Sequence, residues 1–194
     1  MSLQMSLDTD FSELIERIRR GRELDHASFE PIYYLVFSPK EILNVKRQMT
    51  AWLARLRNEG WQPTVFSMAE NIGRILKEAP PRRLWLTADR NAPFNWKRTN
   101  DALANALNRG ALQQRLEEQL AALQSISNAL LVITDLEALH PYMRIGAIES
   151  QLYGNFTVPT VFLYPGERTG KTRLKFMGFY PEDGNYRSVH VGGN

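Results

Sequence analysis

The stretch that most resembles a chemical motif is residues 166–172, whose sequence GERTGKT looks like part of a phosphate-binding loop. Such a loop needs G-x-x-x-x-G-K-[ST], because backbone N–H groups of a wide, glycine-started loop wrap the phosphates before a helix begins. Here Gly166 stands one position too near the Gly-Lys-Thr end, and Pro165 occupies the place of the first glycine. Residues 173–177 then alternate like a strand, so the pattern favours a β-hairpin turn over a nucleotide-binding loop.

Asp135 is the second candidate for nucleotide chemistry. It ends the apolar segment 128–135, which is where the magnesium-binding acid of a nucleotide hydrolase would lie. An α/β sheet also places polar residues at the C-terminal ends of its strands, and Asp135 can equally cap the turn that follows. The sequence therefore leaves two hypotheses open for this residue: a nucleotide-binding domain that uses Asp135 and the 166–172 turn, or a structural role.

Other kinds of catalytic or metal site have no support in the sequence. There is no cysteine, and His26, His140 and His190 are too far apart to suggest a zinc site. No G-x-S-x-G nucleophile motif is present, and no pair of carboxylates stands out for acid–base catalysis. We therefore expect no catalytic residues, no bound metal and no cofactor, and the protein is predicted not to be an enzyme.

A basic and aromatic stretch offers a possible nucleic-acid contact. Cations on phosphates and rings stacked on bases would suit a single strand, and the stretch contains Arg82, Arg83, Trp85, Arg90, Phe94, Trp96, Lys97 and Arg98. The alternative is a surface connection whose tryptophans dock onto the core while the arginines stay in water. We favour the second interpretation, because the net charge of the whole chain is only +3.

Apolar periodicity predicts which elements position these residues. Strand-like runs occur at residues 32–37, 63–66, 128–135, 158–163, 172–177 and 186–191. Helical spacing with capping residues predicts a first helix that stops at Gly21, a second over residues 39–59 and a third that begins after Ser67. It also predicts two helices within residues 100–123, separated by a break at Gly110, and a last helix over residues 141–152. The helical spacing within residues 39–59 also predicts that Leu43 is buried. Residues 80–98 contain three prolines and are not assigned to an element.

Alternation of strands with helices predicts an α/β fold in three layers. We expect a mixed sheet with early parallel strands, a C-terminal antiparallel hairpin over residues 158–177, and helices on both faces. The length of 194 residues, with 43% hydrophobic and 23% charged residues, suits a single domain over residues 1–194. No signal peptide and no long apolar segment is present, which predicts a cytoplasmic protein that does not enter the membrane.

The C-terminal half resembles the BrxB family of BREX phage-defence systems. The resemblance rests mainly on residues 139–144 (LHPYMR), on 158–166 (VPTVFLYPG) with Gly170, Leu174 and Phe176, and on 185–187 (NYR). A softer N-terminal match covers the strand around Tyr34, the helix start at residues 39–41 and the Gly60-Trp61 turn. At the tail, the family often has two tyrosines before the arginine, whereas this chain has one.

The resemblance implies a non-catalytic accessory or scaffold protein in a BREX assembly. Its partners would be larger BREX proteins, namely a methyltransferase, an alkaline-phosphatase-like protein and an ATPase, and the chemistry would reside in them. The residues predicted to contact a partner are Arg144, Tyr164, Tyr186 and Arg187. Arg144 is expected at the start of a helix, where a cation is disfavoured, so it should meet a partner's anion or pair internally with Asp135 or Glu137.

Overall fold

The centre of the fold is one sheet, which contains seven strands in the residues that the computed structural model describes: 2–23, 30–170, 173–184 and 188–193. Its strands are β1 (Ile32–Phe37), β2 (Gln62–Ser67), β3 (Ala129–Thr134), β4 (Thr160–Thr169), β5 (Arg173–Phe176), β6 (Glu182–Gly184) and β7 (Val189–Gly192). The order β2-β3-β4-β1-β7 is parallel throughout, while β5 pairs antiparallel with the end of β4 and β6 pairs antiparallel with β5. The predicted mixed sheet with a C-terminal antiparallel hairpin is confirmed.

Helices cover both faces of this sheet, as the α/β prediction required. They are α1 (Ser2–Glu23), α2 (Ile42–Asn58), α3 (Met68–Glu78), α4 (Arg82–Asn91), α5 (Trp96–Leu107), α6 (Ala111–Leu123) and α7 (Ile145–Gln151), with 3-10 turns at Pro39–Glu41 and Leu136–Leu139. The chain moves from β1 to β2 in one direction along the sheet, and returns from β2 through β3 to β4 in the other. Because such crossovers are right-handed, the reversal puts their helices on opposite faces.

Each face of the sheet has its own apolar core, because neighbouring residues of a strand point to opposite sides. Tyr33 and Leu35 of β1 pack beneath α1 and α2, together with Trp52 of α2. Tyr34 and Val36 of the same strand pack on the other side, among residues of α3, α6 and α7. One cluster therefore lies between the sheet and the helices of one face, and the other lies between the sheet and the helices of the opposite face. The predicted arrangement in three layers is confirmed.

Local signals in the sequence explain several element ends. The Ser67 side chain accepts a hydrogen bond from the Glu70 backbone N–H and begins α3, as predicted. Gly110 has φ +90° between α5 and α6, a left-handed conformation that glycine adopts without strain, so the predicted break is confirmed.

Three predictions of local structure are wrong. Gly21 does not end the first helix but lies inside α1, where a methyl group would overlap the Tyr33 hydroxyl. The helix expected over 141–152 begins only at Ile145, because the N–H groups of Tyr142 and Met143 bond back to the carbonyl of Leu139 and form a turn. Leu43, expected in the core, is exposed on the outer side of α2.

Candidate functional site

Asp135, the candidate magnesium ligand, is held by three side chains of the protein. Its Oδ1 lies 2.7 Å from the Lys46 ammonium, and its Oδ2 accepts hydrogen bonds from the Ser67 hydroxyl at 2.6 Å and from the Thr134 hydroxyl at 2.9 Å. Burial alone would raise the pKa of Asp135, but these hydrogen bonds outweigh it and lower the pKa. Asp135 thus ties together α2, the start of α3 and the end of β3.

Two expectations for this acid are wrong. Asp135 precedes the 3-10 turn Leu136–Leu139, but its side chain makes no capping hydrogen bond there. Arg144 does not pair with Asp135 or Glu137, because Lys46 bridges both carboxylates. Within the described residues, no group of three or more histidine, aspartate or glutamate side chains is placed to hold a metal ion.

The 166–172 stretch forms a hairpin as far as the structure describes it. The final residues of β4, from Gly166 to Thr169, pair with β5, and Gly170 begins the turn with φ +68°. No helix follows, because β5 begins at Arg173. Lys171 and Thr172 lie outside the described residues. The hairpin prediction is confirmed, which removes the helix N-terminus that a phosphate-binding loop requires.

Arg144 and Tyr164, predicted as partner contacts, both lie near Asp183. The Arg144 guanidinium is 3.6 Å from Asp183 Oδ1 and stacks over the Tyr180 ring with 4.8 Å to the ring centre. Tyr164 is almost fully buried, with 2% of its surface exposed. Burial and the negative charge of Asp183 raise the pKa of Tyr164, and Arg144 opposes them. The other two predicted contacts, Tyr186 and Arg187, lie outside the described residues.

Tyr164 lines a cleft of about 310 Å³ between α7 and the β4–β5–β6 hairpin strands. The cleft contains three tyrosines and three carboxylates, namely Tyr34, Tyr153, Tyr164, Glu30, Glu149 and Asp183. We call this the tyrosine–carboxylate cleft. Its tyrosines and acids come from both ends of the chain, because parallel pairing puts β1 directly beside β4. Of these six residues, only Tyr164 was predicted from the sequence as a contact residue.

Several contacts fix the walls of this cleft. The Tyr34 hydroxyl donates to Glu149 Oε2 at 2.6 Å, and the Glu30 carboxylate accepts from the Gly154 backbone N–H. The Tyr34 ring stacks on Phe162 at 4.9 Å between centres. The Tyr164 ring lies edge-on to the rings of Tyr34 and Phe176, both at 5.5 Å between centres, and Tyr164 also lines the cleft.

The basic and aromatic residues 82–98 form a surface of a different kind, which we call the helical arm. It consists of α4, the connection that follows and the first turn of α5, and α4 contains no buried residue. Leu84, Leu86, Phe94 and Trp96 are all exposed, and Phe94 reaches 95%. Only Trp85 is partly buried, in a groove beside α3 and α5, so the expectation that both tryptophans dock is wrong for Trp96.

The charges of the helical arm are largely uncompensated. Residues 82–98 carry five cations and one acid, giving +4 by subtraction. Lys97 pairs with Asp101 at 2.8 Å, and the Thr99 hydroxyl bonds to Asp89 at 2.8 Å, which links α5 to α4. The guanidinium groups without an ion-pair partner among the described residues are those of Arg82, Arg83, Arg90 and Arg98.

Sequence reasoning missed most residues of the cleft and two exposed leucines of the helical arm. Glu149 and Asp183 belong to the cleft but stand alone in sequence, next to no motif. Leu84, Trp85 and Leu86 are three consecutive apolar residues, a pattern that fits neither helical nor strand periodicity clearly. The signal that could have identified Leu84 and Leu86 as exposed is the density of large apolar residues among the arginines. A short helix such as α4 buries one face, so it cannot bury all of these apolar side chains.

The sheet order and the two helical layers define a three-layer α/β protein. Within the described residues, no helix has the length and apolarity that crossing a bilayer requires.

A family model described as BREX protein BrxB matches residues 81–191, which is more than half of the chain. The chain therefore belongs to the BrxB family, and membership indicates a component of a BREX phage-defence system. No curated protein and no solved structure matched the chain.

Proposed function

We propose that the protein is a non-catalytic accessory component of a BREX complex, which binds a larger BREX partner through the helical arm. The partner would be the methyltransferase, the alkaline-phosphatase-like protein or the ATPase. The observation that carries this proposal is the exposure of Leu84, Leu86, Phe94 and Trp96 within one short segment. Large apolar side chains clustered on a surface mark interaction sites more often than single exposed ones do.

The charge of the arm supports a partner with an acidic surface. Four guanidinium groups without an ion-pair partner among the described residues belong to the same short segment as the exposed apolar side chains. Arginine beside aromatic rings is the composition that dominates binding energy at protein interfaces. An acidic rim on the partner would complement the net +4 of residues 82–98 and speed association.

The arm is also held in a fixed shape, which lowers the entropy lost on binding. Trp85 anchors α4 in the groove beside Ala106 of α5, and the Thr99–Asp89 hydrogen bond joins the two helices. The family match begins at residue 81, so it includes the whole arm. These features support a preformed binding surface.

Co-purification with the other BREX proteins tests this proposal. We expect Phe94→Ser combined with Trp96→Ser to reduce capture of one partner at least tenfold, the equivalent of about 1.4 kcal/mol. Phe179→Ser is the matched control, because Phe179 is also an exposed phenylalanine but lies outside the arm. Solitary behaviour of the wild-type protein when all partners are co-expressed would refute the proposal.

A nucleic-acid contact is the second candidate for the same arm. It is favoured by exposed Phe94 and Trp96 in a segment whose arginines have no ion-pair partner among the described residues. A salt series of single-stranded DNA and RNA binding, measured by fluorescence anisotropy, separates the two candidates. Binding that falls steeply with salt, and that Arg82→Glu with Arg83→Glu abolishes while Arg20→Glu on α1 does not, would favour nucleic acid. If neither DNA nor RNA binds at low salt, a protein partner remains as the candidate ligand of the arm.

A nucleotide-binding role for Asp135 and the 166–172 turn has weaker support. Lys46, Ser67 and Thr134 already occupy the Asp135 carboxylate, and a strand follows the turn. Calorimetry with ATP or GTP and magnesium tests this role. Measurable binding that Asp135→Asn abolishes would restore it.

A further inference from the structure

Strand β2 has an open edge, because it ends the strand order β2-β3-β4-β1-β7 and pairs with β3 alone within the described residues. The Gln62 backbone N–H donates to the Asn128 carbonyl at 2.8 Å, so the backbone groups of Gln62 point toward β3. Successive residues of a strand direct these groups to opposite sides. The backbone groups of Pro63, Val65 and Ser67 therefore point away from β3, toward the open edge.

The side chains of this edge do little to keep a second strand away. Exposed edge strands are commonly blocked by charged side chains or by proline. Residues 62–67 (QPTVFS) contain no charged side chain, and Val65 exposes 42% of its surface. A hollow of about 300 Å³ beside the strand, lined in part by Thr64 and Ile126, leaves room for a neighbouring chain. Pro63 is the one residue of β2 that could act as a block.

A second copy of the chain complements this edge, including its proline. When two β2 strands run antiparallel with Val65 opposite Val65, each Val65 N–H faces the Val65 carbonyl of the other copy. In the same register Ser67 lies opposite Pro63, so the Ser67 N–H faces the Pro63 carbonyl. Pro63 has no N–H to offer in return, but the Ser67 carbonyl already accepts a hydrogen bond from the Asn71 side chain at 2.9 Å. Every donor on the edge then faces an acceptor, and the missing N–H leaves no carbonyl unsatisfied.

We propose that two copies of the protein associate through β2 and form one continuous sheet around a two-fold axis at Val65. The axis is perpendicular to the sheet, so both Val65 side chains lie on the same face and bury each other's exposed surface. A strand of an unrelated protein fits less well, because it presents a free carbonyl to Pro63, which has no N–H to satisfy it. The interface shares no residue with the helical arm, so partner binding at the arm neither requires nor excludes it.

Sedimentation equilibrium over about 1 µM to 300 µM protein measures this self-association, since a small interface is expected to be weak and reversible. Val65→Lys places two like charges opposite each other at the axis and should weaken dimerisation at least about tenfold. The variant should fold like the wild type, because the side chain is partly exposed. Leu43→Lys is the matched control, because Leu43 is also an exposed apolar residue but lies on the outer side of α2. It should leave dimerisation unchanged.

Cysteine variants test the register, and the chain contains no cysteine of its own. Directly opposed residues of a hydrogen-bonded pair have Cα atoms about 5.5 Å apart, which a disulfide can span. Val65→Cys should therefore form a disulfide-linked dimer under mild oxidation. Thr64→Cys should not, because Thr64 of the second copy lies two residues along the neighbouring strand, at a Cα distance of about 8 Å.

Four outcomes would overturn the proposal. The first is a monomer over the whole concentration range, and the second is dimerisation that Val65→Lys leaves unchanged. The third is equal crosslinking of Val65→Cys and Thr64→Cys, which the register forbids. The fourth is crosslinking of Val65→Cys to another BREX protein in place of its own copy, which would assign the edge to a partner's strand.

Discussion

Mild acid should destabilise the protein through His190, a buried histidine of β7. Its ring exposes 5% of the residue surface and meets the Tyr34 ring edge-on at 5.4 Å between centres. Its Nε2 lies 2.9 Å from the Ser188 hydroxyl, while its Nδ1 has no hydrogen-bond partner among the described residues. Burial, with a smaller contribution from the positive charge of Arg168, lowers the pKa of His190 to about 4 from 6.5.

The stabilising contribution of neutral His190 is present above pH ~6.5 and is lost as the pH falls toward about 4. Below pH ~6.5 the unfolded chain gains a proton on this residue that the folded protein does not accept, so unfolding is favoured. The difference between 6.5 and about 4 corresponds to about 3 kcal/mol at ~1.4 kcal/mol per pH unit. About 2 kcal/mol of it should disappear between roughly pH 7.5 and pH 5.

Urea unfolding at several pH values measures this loss as a fall in the free energy of unfolding. His190→Phe keeps an aromatic ring beside Tyr34 but cannot take up a proton, so it should remove most of the slope between about pH 6.5 and pH 5. His140→Gln replaces a histidine outside the cores and should retain the slope. If wild type and His190→Phe lose stability in parallel, His190 is not the source, and the argument from its burial is wrong.

Three further predictions concern the candidate nucleotide residues and their surroundings. Asp135→Asn should lower the free energy of unfolding by about 1.5 kcal/mol in urea denaturation, because a charge-assisted contact to Lys46 is lost. An unchanged free energy of unfolding would contradict a stabilising role for the contacts of Asp135. Gly166→Ala should cost about 2 kcal/mol in thermal unfolding, since its methyl would overlap the facing strand, whereas Gly73→Ala in an exposed part of α3 should cost nothing. Lys171→Ala should keep phage protection, and loss of protection in a folded variant would revive the nucleotide hypothesis.

The strands could be located from sequence because each is a short apolar run with clear ends. Residues 32–37 were expected as a strand and form β1 with the same bounds, since all six side chains are buried between the two helical layers. The order of the strands could not be predicted, because β1 pairs with β4 and β7, which lie more than 100 residues away in sequence. Local periodicity has no information about such distant pairing.

Prolines explain why residues 80–98 were not assigned. Three prolines in nineteen residues suggested an irregular connection, but they stand where helices tolerate them. Pro80 and Pro81 precede α4, and Pro93 lies between α4 and α5, so no proline interrupts a helix. Placement of prolines, rather than their number, decides whether helices form.

The glycines show a related limit of sequence reasoning. Gly166 does not have a positive φ, so its constraint has a different cause. A methyl group there would overlap the Lys175 carbonyl and the Tyr164 ring, so the constraint is lack of space between β4 and β5. Gly21 likewise allows α1 to approach Tyr33 rather than ending the helix. Close packing between distant segments leaves no local pattern in the sequence.

The helical arm and the tyrosine–carboxylate cleft differ in how far sequence could reveal them. The arm is one continuous segment of the chain, so its basic and aromatic composition could be recognised in the sequence. The exposure of its side chains could not. The cleft brings Glu30, Glu149 and Asp183 together only because β1 lies beside β4 and the hairpin folds back over α7. High salt should weaken binding at the basic arm, but Phe94 and Trp96 retain an apolar contribution to that binding once the charges are screened.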